Sequence, residues 1–182
     1  MGDHNYYNIA PVLLVCNILN LDLEKVSDLI DTFKPLEHRL EYVGNYNGID
    51  FYNDSISTIP MAAINCINAV KNPYTIIIGG LDRGLDYKPL IDFLYDTEKI
   101  KTIICLPDTG YKICEELINI GCTKKIIEVE NMKEAVKEAY LNTLKGYACM
   151  LSPAAASYNT YKNFEMRGLD YKKEIEIQKK VG

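Results

Sequence analysis

The sequence predicts an α/β fold: an open, doubly wound, mostly parallel sheet that begins with a β-hairpin and carries helices on both faces. Three observations predict it. Four short runs, Tyr74–Ile78, Thr102–Leu106, Ile126–Val129 and Tyr147–Leu151, are apolar throughout, as strands are when both faces of a sheet are covered. Helical stretches alternate with these runs across short loops, the pattern of right-handed βαβ units. Before them, two extended runs flank Gly44-Asn45-Tyr46-Asn47-Gly48, and an Asn-Gly step between such runs is a hairpin signal.

Taken in order, the first 33 residues read as helical. Ile9, Leu13, Cys16 and Asn17 fall at helical spacing, and Pro11 is expected in a first turn, where its missing N–H costs nothing. Asp22 is an N-cap candidate for a second helix, LEKVSDLIDTF. Lys34-Pro35 stops it, because the residue before proline is pushed out of the α region. A boundary is placed there, dividing 1–35 from a domain at 36–182. The hairpin strands are Leu40–Val43 and Ile49–Tyr52. Helices are expected at Met61–Val70, Tyr87–Tyr95, Tyr111–Ile120 and Met132–Leu144, and a last one from about Thr160 to Lys180.

Composition narrows the function. Of 182 residues 48% are apolar and 25% charged, the balance of an ordinary globular protein. The formal charge of −5 argues against nucleic acid or an anionic membrane as partner. No apolar run approaches the roughly 18 residues that span a bilayer. The polar start has no signal-peptide pattern, so a cytoplasmic protein is expected; a monomer is expected too, although nothing in the sequence determines the oligomeric state. Six irregularly spaced cysteines, mostly in apolar stretches, read as free thiols. With two histidines, no metal site is expected.

In open α/β sheets ligands bind beyond the carboxyl ends of the strands. Four segments lie there: Asn53-Asp54-Ser55 onward to Pro60, Gly79-Gly80-Leu81-Asp82-Arg83-Gly84, Pro107-Asp108-Thr109-Gly110, and Ser152-Pro153-Ala154-Ala155-Ala156-Ser157-Tyr158. Small and polar, they suit close approach of backbone to an anion. Each also reads as ordinary caps and turns, with Asp54-Ser55 and Ser157 as helix caps and Arg83 as a solvated cation. G-x-x-x-x-G-K-S/T occurs nowhere, so the chain has no P-loop for a nucleoside triphosphate. G-x-G-x-x-G is also missing, which weakens a dinucleotide-binding module. A purely structural domain stays open as well.

Six blocks occur in order: His4-Asn5-x-x-Asn8, His38-Arg39-Leu40-Glu41, Asn53-Asp54-Ser55-x-x-Thr58, Gly79-Gly80, Ser152-Pro153-Ala154-x-Ala156-Ser157, and Phe164-Glu165-x-Arg167-Gly168. This series resembles the C-terminal part of a Mur ligase, nearest to the glutamate-adding branch. The resemblance implies a Rossmann-like domain that carries the incoming amino acid, preceded at 1–35 by the helical tail of a central ATPase domain. It implies an ATP-dependent, ADP-forming ligation of glutamate to UDP-MurNAc-L-alanine, with ATP and Mg²⁺ held mainly by that central domain. Carried over by position, Asn5, Asn8, Arg39 and Asp54 would contact ATP: the amides at adenine, Arg39 at phosphate, Asp54 at the ribose hydroxyls. Thr58, Arg83, Ser157, Tyr158 and Phe164 would hold the amino acid. No catalytic residue is assigned, and the enantiomer of glutamate stays open. Arg83 stands where the D-glutamate-adding enzymes commonly have lysine; Ile56 stands where many of these ligases have another lysine, and Ile59-Pro60 replaces the usual Thr-Asn.

Overall fold

The computed structural model describes residues 4–31 and 36–179; the side chains of residues 4–8 and 31 lie outside the description. The chain divides into two compact units, Met1–Leu36 and Glu37–Gly182. The first holds α1 (His4–Ile18) and α2 (Leu23–Asp31). Asp22 caps α2 as expected, its carboxylate accepting from the backbone N–H of Glu24 at 3.1 Å. Pro11 lies inside α1 and not in its first turn. The helix there forgoes one backbone hydrogen bond, since proline has no N–H to donate.

The second unit runs β1 (Glu41–Tyr46), β2 (Ile49–Asn53), α3 (Pro60–Ala69), β3 (Pro73–Gly80), α4 (Lys88–Asp96), β4 (Thr102–Asp108), α5 (Thr109–Asn119), β5 (Lys125–Glu128), α6 (Met132–Asn142), β6 (Ala148–Leu151) and α7 (Phe164–Gln178). The six strands form one sheet in the order β1-β2-β6-β3-β4-β5. The hairpin β1–β2 is antiparallel; every other neighbour is parallel.

Apolar-throughout strands work because alternate residues serve two cores. Ile76, Ile78, Ile103, Cys105 and Met150 pack with Ala63 and Ile67 of α3, Leu90 and Leu94 of α4, and Ile113 and Leu117 of α5. Their neighbours Ile77, Ile104, Cys149 and Leu151 pack with Ala135, Val136 and Ala139 of α6 and with Tyr171 and Ile175 of α7. Each fully buried isoleucine, leucine, valine or methionine among them contributes about 1.5–3 kcal/mol relative to exposure. β3 continues to α4 on one face, while its neighbour β6 continues to α7 on the other. The chain therefore parts between their ends, which is where an open sheet forms a crevice.

Two junctions differ from expectation. The segment Pro107–Gly110 is hardly a loop: β4 runs to Asp108 and α5 starts at Thr109. Asp108 makes the turn at φ +64, and the Thr109 hydroxyl donates to the Gly80 carbonyl. This sharp reversal lays α5 back on β4, so Cys105 and Cys114 meet and form a disulfide with Cα atoms 6.7 Å apart. Cys16, Cys66, Cys122 and Cys149 are free thiols. The last helix begins at Phe164, later than Thr160, because Asn163 caps it by accepting from Met166 N–H at 2.9 Å. No helix among the described residues is long and apolar enough to cross a membrane.

Candidate functional site at the carboxyl edge of the sheet

The segments after β2, β3 and β6 continue to pair beyond the sheet. Asp54 N–H donates to Leu151 O at 2.8 Å, Gly79 N–H to Pro153 O at 2.9 Å, and Leu81 N–H to Ala156 O at 2.8 Å. Gly80 makes the last approach possible. Its φ is +144, and a Cβ built on it would stand 2.3 Å from the Ala156 carbonyl oxygen. Beside these segments a small, shallow cleft, open to solvent, is lined by Gly79, Gly80, Pro107, Asn131, Asn159 and Arg167 among others.

Arg167, in the first turns of α7, ties the edge together. Only 1% exposed, its guanidinium donates to Ser55 Oγ at 3.0 Å, to Ser55 O at 2.8 Å and to Ala155 O at 3.0 Å. Ser55 Oγ in turn donates to Phe164 O at 2.8 Å. All of these acceptors are neutral, so burial pulls the Arg167 pKa down to about 10. It remains a cation at neutral pH. A planar fork with several fixed donors suits a junction of three chain segments, which an ammonium could not span.

A second network secures the entry to the domain. His38 is buried, at φ +63. Its Nδ1 lies 2.9 Å from Asn53 Nδ2, and that amide also donates to Glu41 Oε2 at 2.9 Å. Glu41 accepts from His38 N–H at 2.9 Å and from the Lys172 ammonium at 2.7 Å. Burial raises the Glu41 carboxyl, but Lys172, the His38 N–H and Asn53 outweigh it, leaving the pKa below the ordinary value. Gly168 makes room: a Cβ there would stand 2.2 Å from His38 Nδ1.

Asp54 faces inward. Its carboxylate accepts from Leu40 N–H at 3.1 Å, Ser57 Oγ at 2.5 Å and Ser152 Oγ at 2.8 Å, and burial raises its pKa against the pull of these donors. The oxygens expected to meet ribose hydroxyls thus have protein partners in this structure. Arg39 is exposed beside buried His38. Asn5 and Asn8 fall in α1, and their side chains lie outside the described residues.

Among the residues expected at the amino acid, Arg83 and Thr58 meet: Arg83 Nη2 donates to the Thr58 carbonyl at 3.1 Å. Ser157 is buried directly after Ala156, the residue bridged to Leu81. Phe164 takes the Ser55 hydroxyl on its carbonyl, and its ring stands edge-on to His38 at 6.1 Å. Tyr158 is 67% exposed at the rim. Sequence reasoning named Arg167, His38 and Asn53 only as motif members. The pairing of arginine with glycine in Phe164-x-x-Arg167-Gly168 was the available signal, because a glycine inside a helix marks a close approach. Among the described residues there is no group of three or more His, Cys, Asp and Glu side chains that could hold a metal ion.

No family model matches the chain. It is 35% identical over 175 residues to a UDP-N-acetylmuramoylalanine–D-glutamate ligase of Caldanaerobacter subterraneus, a match covering 96% of the chain and 38% of the relative. A ligase of the same name from Clostridioides difficile is 35% identical over 176 residues, with 96% and 38% covered. The chain thus spans under two fifths of the length of these curated relatives. Among solved structures, UDP-N-acetylmuramate–alanine ligase MurC of Thermotoga maritima superposes with a TM-score of 0.69 at 17% identity, covering 98% of the chain and 39% of that structure. A pseudomurein peptide ligase type C of Methanothermus fervidus gives 0.68 at 16% identity, covering 100% and 36%.

Proposed function

Because the chain belongs to the Mur ligases, as a counterpart of their C-terminal domain, we propose that it is the amino-acid-receiving part of an ADP-forming ligase. The full enzyme would join glutamate to UDP-MurNAc-L-alanine during synthesis of peptidoglycan precursors. The names of the curated relatives favour D-glutamate. The observation that carries this reading is convergence. Thr58, Arg83, Ser157 and Phe164 come from three separated segments to one edge of the sheet, and Arg83 supplies an exposed cation there.

The chemistry asks for positioning more than for reactive side chains. Once ATP has phosphorylated the acceptor carboxylate, the glutamate amine attacks its carbonyl carbon, the C–N bond forms, and phosphate leaves. Arg83, Thr58, Ser157, Tyr158 and Phe164 would hold the amino acid, with a guanidinium suited to a carboxylate. Arg39 would reach the nucleotide phosphates. Asp54 would contribute by holding Leu40 N–H, one residue from Arg39, in addition to any contact with ribose. Asn5 and Asn8 would face adenine. Mg²⁺ would neutralise phosphate charge from ligands beyond the described residues.

Residues 1–35 fit the tail of a preceding ATPase domain. Val12, Leu14, Val15, Ile18, Leu19 and Leu21 are each at least half exposed, and helices apolar on so many sides normally lie within a larger core.

The test is a ligation assay on the full-length protein. ADP release is expected only when ATP, UDP-MurNAc-L-alanine and glutamate are all present, and Arg83→Ala should raise the glutamate KM more than about tenfold. Turnover with basic or apolar amino acids in place of glutamate would refute the assignment. The 182-residue chain alone, with no P-loop sequence, should give no ADP.

A further inference from the structure

We propose that Asp82 and Lys112 are a positioning pair that aims Arg83 at the carboxylate of the incoming amino acid. The inference rests on the reading of the site given above and adds two residues to it.

Asp82 immediately precedes Arg83, and each of its carboxylate oxygens has a defined partner. Oδ1 accepts from Gly84 N–H at 2.8 Å, closing a tight turn around Arg83. Oδ2 meets the Lys112 ammonium at 2.5 Å. Lys112 belongs to α5, a firm base: this helix is tied to β3 through Thr109 and Gly80 and to β4 through Cys105–Cys114. The backbone of Arg83 is therefore held from both sides, by the turn and by α5. At its far end the guanidinium is fixed by the Thr58 carbonyl.

Lys112 has a second effect. A carboxylate one residue from an arginine competes with any substrate for its guanidinium. By occupying Oδ2, Lys112 keeps Asp82 off Arg83 and leaves the positive charge of Arg83 for a guest. The Lys112 ammonium and the Gly84 N–H also hold the Asp82 carboxyl below its usual pKa, so the pair stays ionised through the neutral range. Its side chains are 63% and 30% exposed, which limits what the pair transmits to the few-fold effect typical of exposed ion pairs.

The experiment is a titration of D-glutamate into the ¹⁵N-labelled 182-residue chain, reading affinity and the backbone order of residues 82–84. Lys112→Met and Asp82→Asn are each expected to weaken binding about three- to fivefold and to lower order in that turn. Lys112→Arg, which keeps the charge, should stay within about twofold of the unaltered chain. Arg83→Ala should weaken binding more than about tenfold. If Arg83→Ala does so while Lys112→Met and Asp82→Asn leave affinity and order unchanged, the positioning role is overturned and the site stands. If Arg83→Ala has no effect, or the unaltered chain does not respond to glutamate, the reading of the site fails and takes this inference with it.

Discussion

Replacing Arg167 by methionine is expected to destabilise the domain by about 3–5 kcal/mol, seen as a lower urea midpoint with an unchanged slope. Methionine is similar in length and apolar, so the packing loss is small and the effect isolates the hydrogen bonds. Without the guanidinium, the Ser55 and Ala155 carbonyls and the Ser55 hydroxyl, all on fully buried residues, lose a donor. An orphaned buried acceptor costs about 1–3 kcal/mol. Because Arg167 has only neutral partners, its removal leaves no unpaired charge, and the loss comes from the orphaned neutral acceptors alone. Arg167→Lys should recover a part of the loss, since an ammonium can serve one acceptor well but not three in a plane. A methionine variant within about 1 kcal/mol of the parent would mean that the segments after β2 and β6 hold together without the clamp.

Gly168→Ala sets two principles against each other. Inside a helix, alanine is better than glycine by about 0.8–1 kcal/mol, and on that ground alone the variant should be more stable. The added Cβ, however, would lie 2.2 Å from His38 Nδ1, 2.9 Å from His38 Cε1 and 3.0 Å from Asn53 Nδ2. Neither neighbour is a flexible chain end. His38 is buried in a left-handed backbone conformation, and Asn53 is held to both His38 and Glu41. Moving them breaks bonds that join the entry to the domain with β1, β2 and α7. We expect a net loss of about 2–4 kcal/mol by overpacking and broken hydrogen bonds. In the full-length enzyme, turnover should fall further than stability accounts for, because Arg39 follows His38 directly. A stabilised Gly168→Ala variant would show that the ring has room to retreat.

Both residues illustrate what a sequence discloses. The sheet was legible because its central strands are apolar on both faces; Ile76, Ile77 and Ile78 leave no other place for the segment than the middle of a covered sheet. The hairpin was legible from Asn47-Gly48, and the α2 cap from Asp22. The strand-end segments could be named because topology alone fixes which edge they occupy. What they do there was less accessible. Arg167 sits in the first turns of a charged helix, where a cation ordinarily reaches solvent, and only the fold reveals that the β6–α7 segment passes over it. Asp54 reads as a ligand-facing acid or as a cap, whereas its three donors come from residues 40, 57 and 152, a set brought together only by the fold. The Cys105–Cys114 pair was hidden because Pro107–Gly110 looks like a loop, and a strand turning into a helix in one residue has no strong local signature.

The central claim is that separated segments gather at one edge of the sheet to grip an acidic amino acid, and amide-shift mapping tests it most directly. On adding D-glutamate to the labelled chain, the perturbed amides should fall in residues 55–58, 80–84 and 152–164, with the hairpin turn at 47–48 and the C-terminal half of α6 unmoved. Shifts spread over the two faces of the sheet, or confined to that hairpin turn, would contradict it.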